Sequence, residues 1–441
     1  MSELQKIPCP IYTMAQTHPD AIAIQDGKEK ITYKALNQAI ENCCSELHRI
    51  PLSRIALNVQ NNTQSITLIF SFFRLQIITL LLNPKLSRLE TEKTLKRSKI
   101  DTLFSDDLFL KKHEKTSHTN IPFAAPLSII CSSGSTGEPK LLVHSALNHL
   151  ASATASQEKT PLNIGDRWGL SLPLHHVSGL SILWRCFQVG ATVVLPPKTD
   201  PLPYFLQNCT HLSLVPTQVQ DLLALDTSTT HLKHILVGGA ACPEGLLEEG
   251  KRRGLPLQAT YGLSEMSSQV CTQALDHRSL ETLGDPLPGI ALQLSKTGSI
   301  LLKGPSLFLG YLQEDGAIDT ARNENGWFQT NDRGILTDTG LKLLGRQDRC
   351  FISGGENIDP LEIELLLLTH PSIKSAHIIP IEDPRFGHCP AAIILPKGPL
   401  LESDIKFFLS EKLVAFKHPK SYRLLSPNTD LPPKPSLETL K

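Results

Sequence analysis

Short apolar runs alternate along this chain with longer stretches of helical spacing. Ile22-Ala23-Ile24, Ile55-Ala56-Leu57, Ser128 to Cys131, Ala191 to Leu195, Leu212 to Val215 and Ile235 to Val237 read as buried strands. Tyr33 to Arg49, Glu90 to Ser98, Leu147 to Ser156 and Pro243 to Arg253 read as helices between them. This alternation predicts an α/β domain with largely parallel sheets. From about Gly284 the pattern changes to short strands punctuated by Gly and Pro, which predicts a small β-barrel or β-rich subdomain. A second change falls near Gly345. Beyond it, Pro360 to His370 and Glu402 to Ala415 read as helices, and Ala376 to Ile381 and Ala391 to Leu395 as strands. The chain is therefore expected to be α/β, with a large N-terminal domain of stacked α/β sheets over 1–346 and a small α+β domain over 347–441.

One run, Ile66 to Leu82, has the apolarity of a membrane segment but carries Arg74 and Gln76 at its centre. A central Arg costs ~2.5–3.5 kcal/mol on insertion scales, and Asn83-Pro84 follow at once. The run is predicted as a buried helix, about Ser65 to Leu75, leading into a strand, Ile77 to Leu82. Composition agrees with a globular chain: of 441 residues, 40% are hydrophobic and 20% charged. Lys plus Arg and Asp plus Glu are both 43, a formal net charge of zero. That balance leaves no basic footprint for nucleic acid or an anionic membrane. The ten cysteines include no Cys-x-x-Cys pair and no zinc-finger spacing, and Met1 to Ile11 lacks the pattern of a secretory signal. Free thiols in a cytoplasmic protein are the expectation.

The densest chemical signal is Cys131-Ser132-Ser133-Gly134-Ser135-Thr136-Gly137-Glu138-Pro139-Lys140. Its glycines let successive backbone N–H groups converge, and its hydroxyls and one ammonium add donors, a nest suited to polyphosphate. It lacks the Walker A spacing, and apolar runs on both sides predict a loop joining two strands. Further along stand Tyr261-Gly262-Leu263-Ser264-Glu265, then Gly326-Trp327-Phe328-Gln329-Thr330-Asn331-Asp332, then Gly345-Arg346-Gln347-Asp348 with Gly354-Gly355. Near the end, Pro432-Pro433-Lys434-Pro435 forms a stiff segment able to present one ammonium. Chemistry on ATP needs a metal ligand for the phosphates, a sugar clamp and a cation for developing charge.

In order and over essentially the whole chain, these motifs resemble those of the adenylate-forming superfamily of acyl-CoA synthetases, luciferases and adenylation domains. The resemblance implies that Ser132, Ser133, Gly134, Ser135, Thr136, Gly137 and Lys140 hold the ATP phosphates. Gly239, Ala240 and Tyr261 would then border adenine. Gly262 continues that motif, Ser264, in place of the usual Thr, contacts the α-phosphate, and Glu265 holds Mg²⁺. Asp332 grips the ribose, with Asn331 where a Gly is usual, and Arg346 leads into a hinge at Asp348. The C-terminal domain is implied to be mobile, rotating about that hinge so that Gly354 and Gly355 build a tunnel for CoA. Lys434 takes the place of the catalytic lysine, although Pro433 replaces the usual Gly before it; Lys420 and Lys441 are the alternatives.

The acid is narrowed by Leu172-Pro173-Leu174-His175-His176-Val177-Ser178-Gly179 and the following Trp184-Arg185. This segment is similar to that of the o-succinylbenzoate–CoA ligase family of menaquinone biosynthesis. It implies that His176 borders the acyl pocket and that Ser178 contacts the acid substrate, with Arg185 assigned to the substrate's second carboxylate. The implied reaction joins an aromatic acid to CoA through an acyl-adenylate, releasing pyrophosphate and AMP. Other aryl- or fatty-acyl-CoA ligases, and adenylation domains that load a carrier protein, remain open. So does the oligomeric state.

Overall fold

The computed structural model describes residues 5–48, 52–105, 118–132, 139–225, 231–277, 279–426 and 429. Two large sheets organise the first three hundred or so. The eight-stranded one runs Ser268–Thr272, Leu257–Leu263, His234–Val237, His211–Leu214, Arg167–Gly169, Thr192–Val194, Ile22–Asp26, Glu29–Thr32. Its interior pairs are parallel and its two outermost pairs antiparallel. The seven-stranded sheet runs Ile318–Asp319, Gly310–Leu312, Lys140–Ser145, Pro126–Ser132, Ile78–Leu82, Arg54–Asn58, Leu103–Phe104. Between the sheets lies the largest apolar core, drawing Ile24 and Val193 from one and Leu57 and Ile130 from the other. Helices Thr63–Arg74 and Val177–Val189 meet inside it, where Trp184 lies 5.7 Å from Phe70 and 6.2 Å from Phe73. Aromatic contacts of this kind dominate core energetics because each ring removes a large area from water.

The membrane-like run resolves as the helix Thr63–Arg74 followed by the strand Ile78–Leu82. Asn62 caps the helix by accepting from Ser65 N at 2.7 Å, and Gln76 at φ 60° turns the chain between the two elements. Arg74 is buried, and its Nη2 donates to Asn37 Oδ1 at 2.8 Å. No helix among the described residues is long and apolar enough to cross a membrane.

Past Gly284, Ala291–Leu294, Ser299–Lys303, Phe328–Thr337 and Gly340–Arg346 form a four-stranded antiparallel sheet in chain order. Its core includes Tyr261, Met266, Phe308 and Phe328. Farther on, Glu356–Ile358, Phe351–Ser353, Gly387–Pro396, Ile373–Asp383 and Ser421–Leu424 build another sheet. Helices Pro360–Leu368 and Glu402–Ser410 join a separate apolar core there. The second helix stops at Ser410 rather than at Ala415, because Val414 is extended at φ −66° and ψ 143°.

Candidate active site

The strands on either side of the predicted phosphate loop, Pro126–Ser132 and Lys140–Ser145, pair antiparallel, with Ser132 opposite Lys140. Ser133, Gly134, Ser135, Thr136 and Gly137 lie outside the described residues, so the hairpin's flanks position the site. Lys140 Nζ stands 4.8 Å from the centroid of the Tyr311 ring. Tyr311 lies on the neighbouring strand, opposite Leu142, and its hydroxyl donates to Glu265 Oε1 at 2.6 Å. One tyrosine therefore touches both the loop's ammonium and the carboxylate expected to hold the metal. Burial first, and then Glu265, push the Tyr311 hydroxyl well above its ordinary pKa, so it remains a donor. Sequence reasoning missed Tyr311. Its only signal is a short Gly-Tyr-Leu strand, and strand pairing alone brings it to the site.

Glu265 stands in a single turn, Ser264–Met266, directly after the strand Leu257–Leu263. The register shifts between Tyr261 and Gly262, where a side-chain carbon on Gly262 would lie 2.2 Å from Ser268 O. Only glycine permits that approach. The turn is held from two sides: Glu265 O accepts from Phe308 N at 2.7 Å, and Ser264 O accepts from His144 Nε2 at 2.8 Å. Burial lowers the His144 pKa to about 4, so this imidazole is neutral, with its proton on Nε2. His144 was also missed from sequence. Among the described residues no three His, Cys, Asp or Glu side chains cluster as a metal cage. A lone carboxylate suits Mg²⁺, which keeps water and substrate phosphates in its shell.

Asp332 accepts from Tyr261 Oη at 2.7 Å on Oδ2, and its Oδ1 lies 3.5 Å from Arg346 Nη1. Asp332 and Arg346 are register partners on adjacent strands. The same guanidinium grips Asp348 through Nε at 2.9 Å and Nη2 at 2.7 Å, and Asn331 Nδ2 donates to Asp348 at 3.1 Å. Arg346 thus couples the residue expected on the ribose to the residue expected at the hinge. The Tyr261 ring is 6% exposed and packs in the core, with its hydroxyl committed to Asp332. Gly239, at φ 80°, and Ala240 are exposed just past the strand His234–Val237. The C-terminal ends of parallel strands are where open α/β sheets receive ligands.

His176 precedes the helix Val177–Val189 as its N-cap residue. Gly179 allows the first turn to press on the preceding segment, since a side-chain carbon there would meet Pro173 O at 2.1 Å. His175 and His176 have ring centroids 4.4 Å apart; burial lowers both pKa values, that of His175 to about 4. Ser178 and Arg185, two turns apart, share a helix face. Arg185 is 4% exposed and donates from Nη2 to Ser268 Oγ at 2.9 Å, and its guanidinium lies 5.2 Å from the centroid of Trp168. Its Nε has no partner, and no carboxylate pairs with it among the described residues. Burial lowers its pKa to about 10. Ser268 follows Glu265 by one turn, so the buried cation and the candidate metal ligand are joined through one short segment.

Gly354 and Gly355, at φ 58° and 90°, form the turn between Phe351–Ser353 and Glu356–Ile358. Lys434 and Lys441 lie outside the described residues. Lys420 is exposed, and its backbone N donates to Pro390 O at 2.8 Å at the edge of the C-terminal sheet.

Residues 11–125 and 122–312 match the AMP-binding enzyme family, and residues 362–433 match the AMP-binding enzyme C-terminal domain. The 2-succinylbenzoate–CoA ligase of Bacillus cereus is 32% identical over 440 residues, covering 91% of each chain. That of Bacillus cytotoxicus is 32% identical over 445 residues, covering 92% of each. Among solved structures, a variant of E. coli MenE with bound OSB-AMS superposes at a TM-score of 0.87, with 30% identity, covering 95% of this chain and 94% of that one. The o-succinylbenzoate coenzyme A synthetase of Bacillus subtilis, in complex with ATP and magnesium ion, superposes at 0.85, with 28% identity over 96% of each chain.

Proposed function

The chain belongs to the AMP-binding enzyme family, and from that premise we propose that it is an ATP-dependent ligase joining 2-succinylbenzoate to CoA in menaquinone biosynthesis. The observation that carries the substrate is Arg185, a buried guanidinium with no carboxylate partner among the described residues. An uncompensated buried charge is costly unless a ligand completes it. A diacid does so with the carboxylate that does not react, while its other carboxylate lies toward His176 and the phosphate hairpin.

In the first half-reaction a carboxylate oxygen attacks the α-phosphorus of ATP, forming the acyl-adenylate and releasing pyrophosphate. Lys140 offsets phosphate charge, and Ser132 with the hydroxyls of the loop donates hydrogen bonds to the phosphate oxygens. Glu265, oriented by Tyr311, would hold Mg²⁺, which would supply charge for the leaving group. Asp332 accepts from the ribose hydroxyls, and Lys434 is the cation assigned to the developing charge. In the second half-reaction the CoA thiolate attacks the acyl carbon and AMP departs. Rotation about Asp348 breaks its bidentate pair with Arg346 and brings Gly354-Gly355 toward the acyl group. A cytoplasmic setting suits the cysteines, all ten of which are free thiols.

The test is a pyrophosphate-release screen over aromatic diacids, aromatic monoacids and fatty acids, with and without CoA. Release with 2-succinylbenzoate, and thioester formation only when CoA is added, is expected. A preference for a monoacid, or transfer only to a carrier-protein thiol, overturns the substrate assignment.

A further inference from the structure

Arg185 is held on one side by Ser268 Oγ at 2.9 Å, and its guanidinium lies 5.2 Å from the Trp168 ring centroid. Trp168 is fully buried, and its own orientation is set on two sides. Its Nε1 donates to Ser213 Oγ at 3.2 Å. Its ring also stacks on His211 at 5.3 Å between centroids, with 30° between the planes. His211 in turn stacks on His234 at 5.2 Å, and its Nε2 donates to Pro161 O at 3.0 Å. With burial lowering the His211 pKa to about 4, that imidazole adds no competing positive charge behind the indole. Among the described residues the Arg185 guanidinium makes one neutral hydrogen bond and its Nε has no partner, which leaves the indole face to fix its plane.

We infer that Trp168 is a positioning and specificity-determining residue: its π face holds the Arg185 guanidinium flat, so that the donors turned away from Ser268 face the second carboxylate of the substrate. The inference rests on the diacid reading above. A cation over an indole face is attracted by the ring quadrupole, most strongly where water is excluded. Such a contact orients the planar fork without consuming the donors that a carboxylate needs.

Pyrophosphate release by the full-length protein tests this with Trp168→Phe, Trp168→Leu and a series carrying progressively fluorinated tryptophan at 168. Fluorination weakens the quadrupole at nearly constant shape, so it discriminates even where Trp168→Leu fails to fold. KM for 2-succinylbenzoate should rise stepwise with fluorination, by roughly tenfold across the series, at unchanged kcat and unchanged KM for ATP. Trp168→Phe should fall between wild type and Trp168→Leu. A flat response to fluorination, or an equal rise in KM for ATP, overturns the positioning role. A wild-type protein inactive on 2-succinylbenzoate instead overturns the diacid reading, a result visible before any variant is made.

Discussion

The Tyr311 hydroxyl donates to Glu265 Oε1 at 2.6 Å, which ties that carboxylate to the strand Gly310–Leu312, the neighbour of Lys140–Ser145. Residues that hydrogen-bond a metal ligand fix its orientation, and their loss typically costs ten- to a hundredfold in metal affinity or activity. Tyr311→Phe should therefore raise the Mg²⁺ concentration needed for half-maximal pyrophosphate release by about tenfold. Thermal stability should move far less. An unchanged Mg²⁺ dependence would detach Glu265 from the metal.

Removal of the buried cation should separate diacids from monoacids. Arg185→Ala leaves the unreacting carboxylate unpaired, at about 2–3 kcal/mol, or roughly a hundredfold in kcat/KM for 2-succinylbenzoate. Aromatic monoacids should lose little. Steady-state kinetics on both acids check this, and equal losses would place Arg185 in a purely structural role.

The Tyr261 hydroxyl supports Asp332 at 2.7 Å. Tyr261→Phe removes one hydrogen bond to a charged acceptor, about 1.5–3 kcal/mol. KM for ATP should rise severalfold while KM for CoA stays constant. Isothermal titration with ATP would expose a role confined to stability, since affinity would then be unchanged.

Gly262 has no room for a side chain against Ser268 O. Gly262→Ala should shift the turn carrying Glu265 and destabilise the protein by about 1–3 kcal/mol, the usual cost of overpacking. Urea unfolding measures the stability loss, and pyrophosphate release should fall with it.

Acid should destabilise the fold through its buried imidazoles. The folded state refuses a proton on His144 until about pH 4, against an ordinary value of 6.5. The unfolded chain takes that proton up below 6.5, so this contribution is complete above pH 6.5 and is lost as pH falls toward 4. Its slope approaches about 1.4 kcal/mol per pH unit. His144→Gln, which keeps a donor for Ser264 O, should flatten the dependence of unfolding free energy on pH in that window. Identical slopes for variant and wild type would mean that His144 titrates normally.

Much of this protein is written locally. Strand–helix alternation, the change of texture past Gly284 and the helix–strand reading of the membrane-like run all follow from periodicity and turn chemistry, which act over a few residues. The order and joint spacing of the motifs, through the family they resemble, likewise single out Glu265, Asp332 and Arg185, none of which stands out when taken alone. Periodicity does not reveal partners distant in sequence. Tyr311 reaches Glu265 only because its strand pairs with Lys140–Ser145, and His144 reaches Ser264 O only because that same strand passes beneath the turn. Arg185 could have been an ordinary surface arginine. Packing of its helix between two sheets is what buries it and gives it Trp168 and Ser268. Short-range preferences are summed along the chain, whereas burial and pairing depend on which segments meet, and that is decided when the whole core forms.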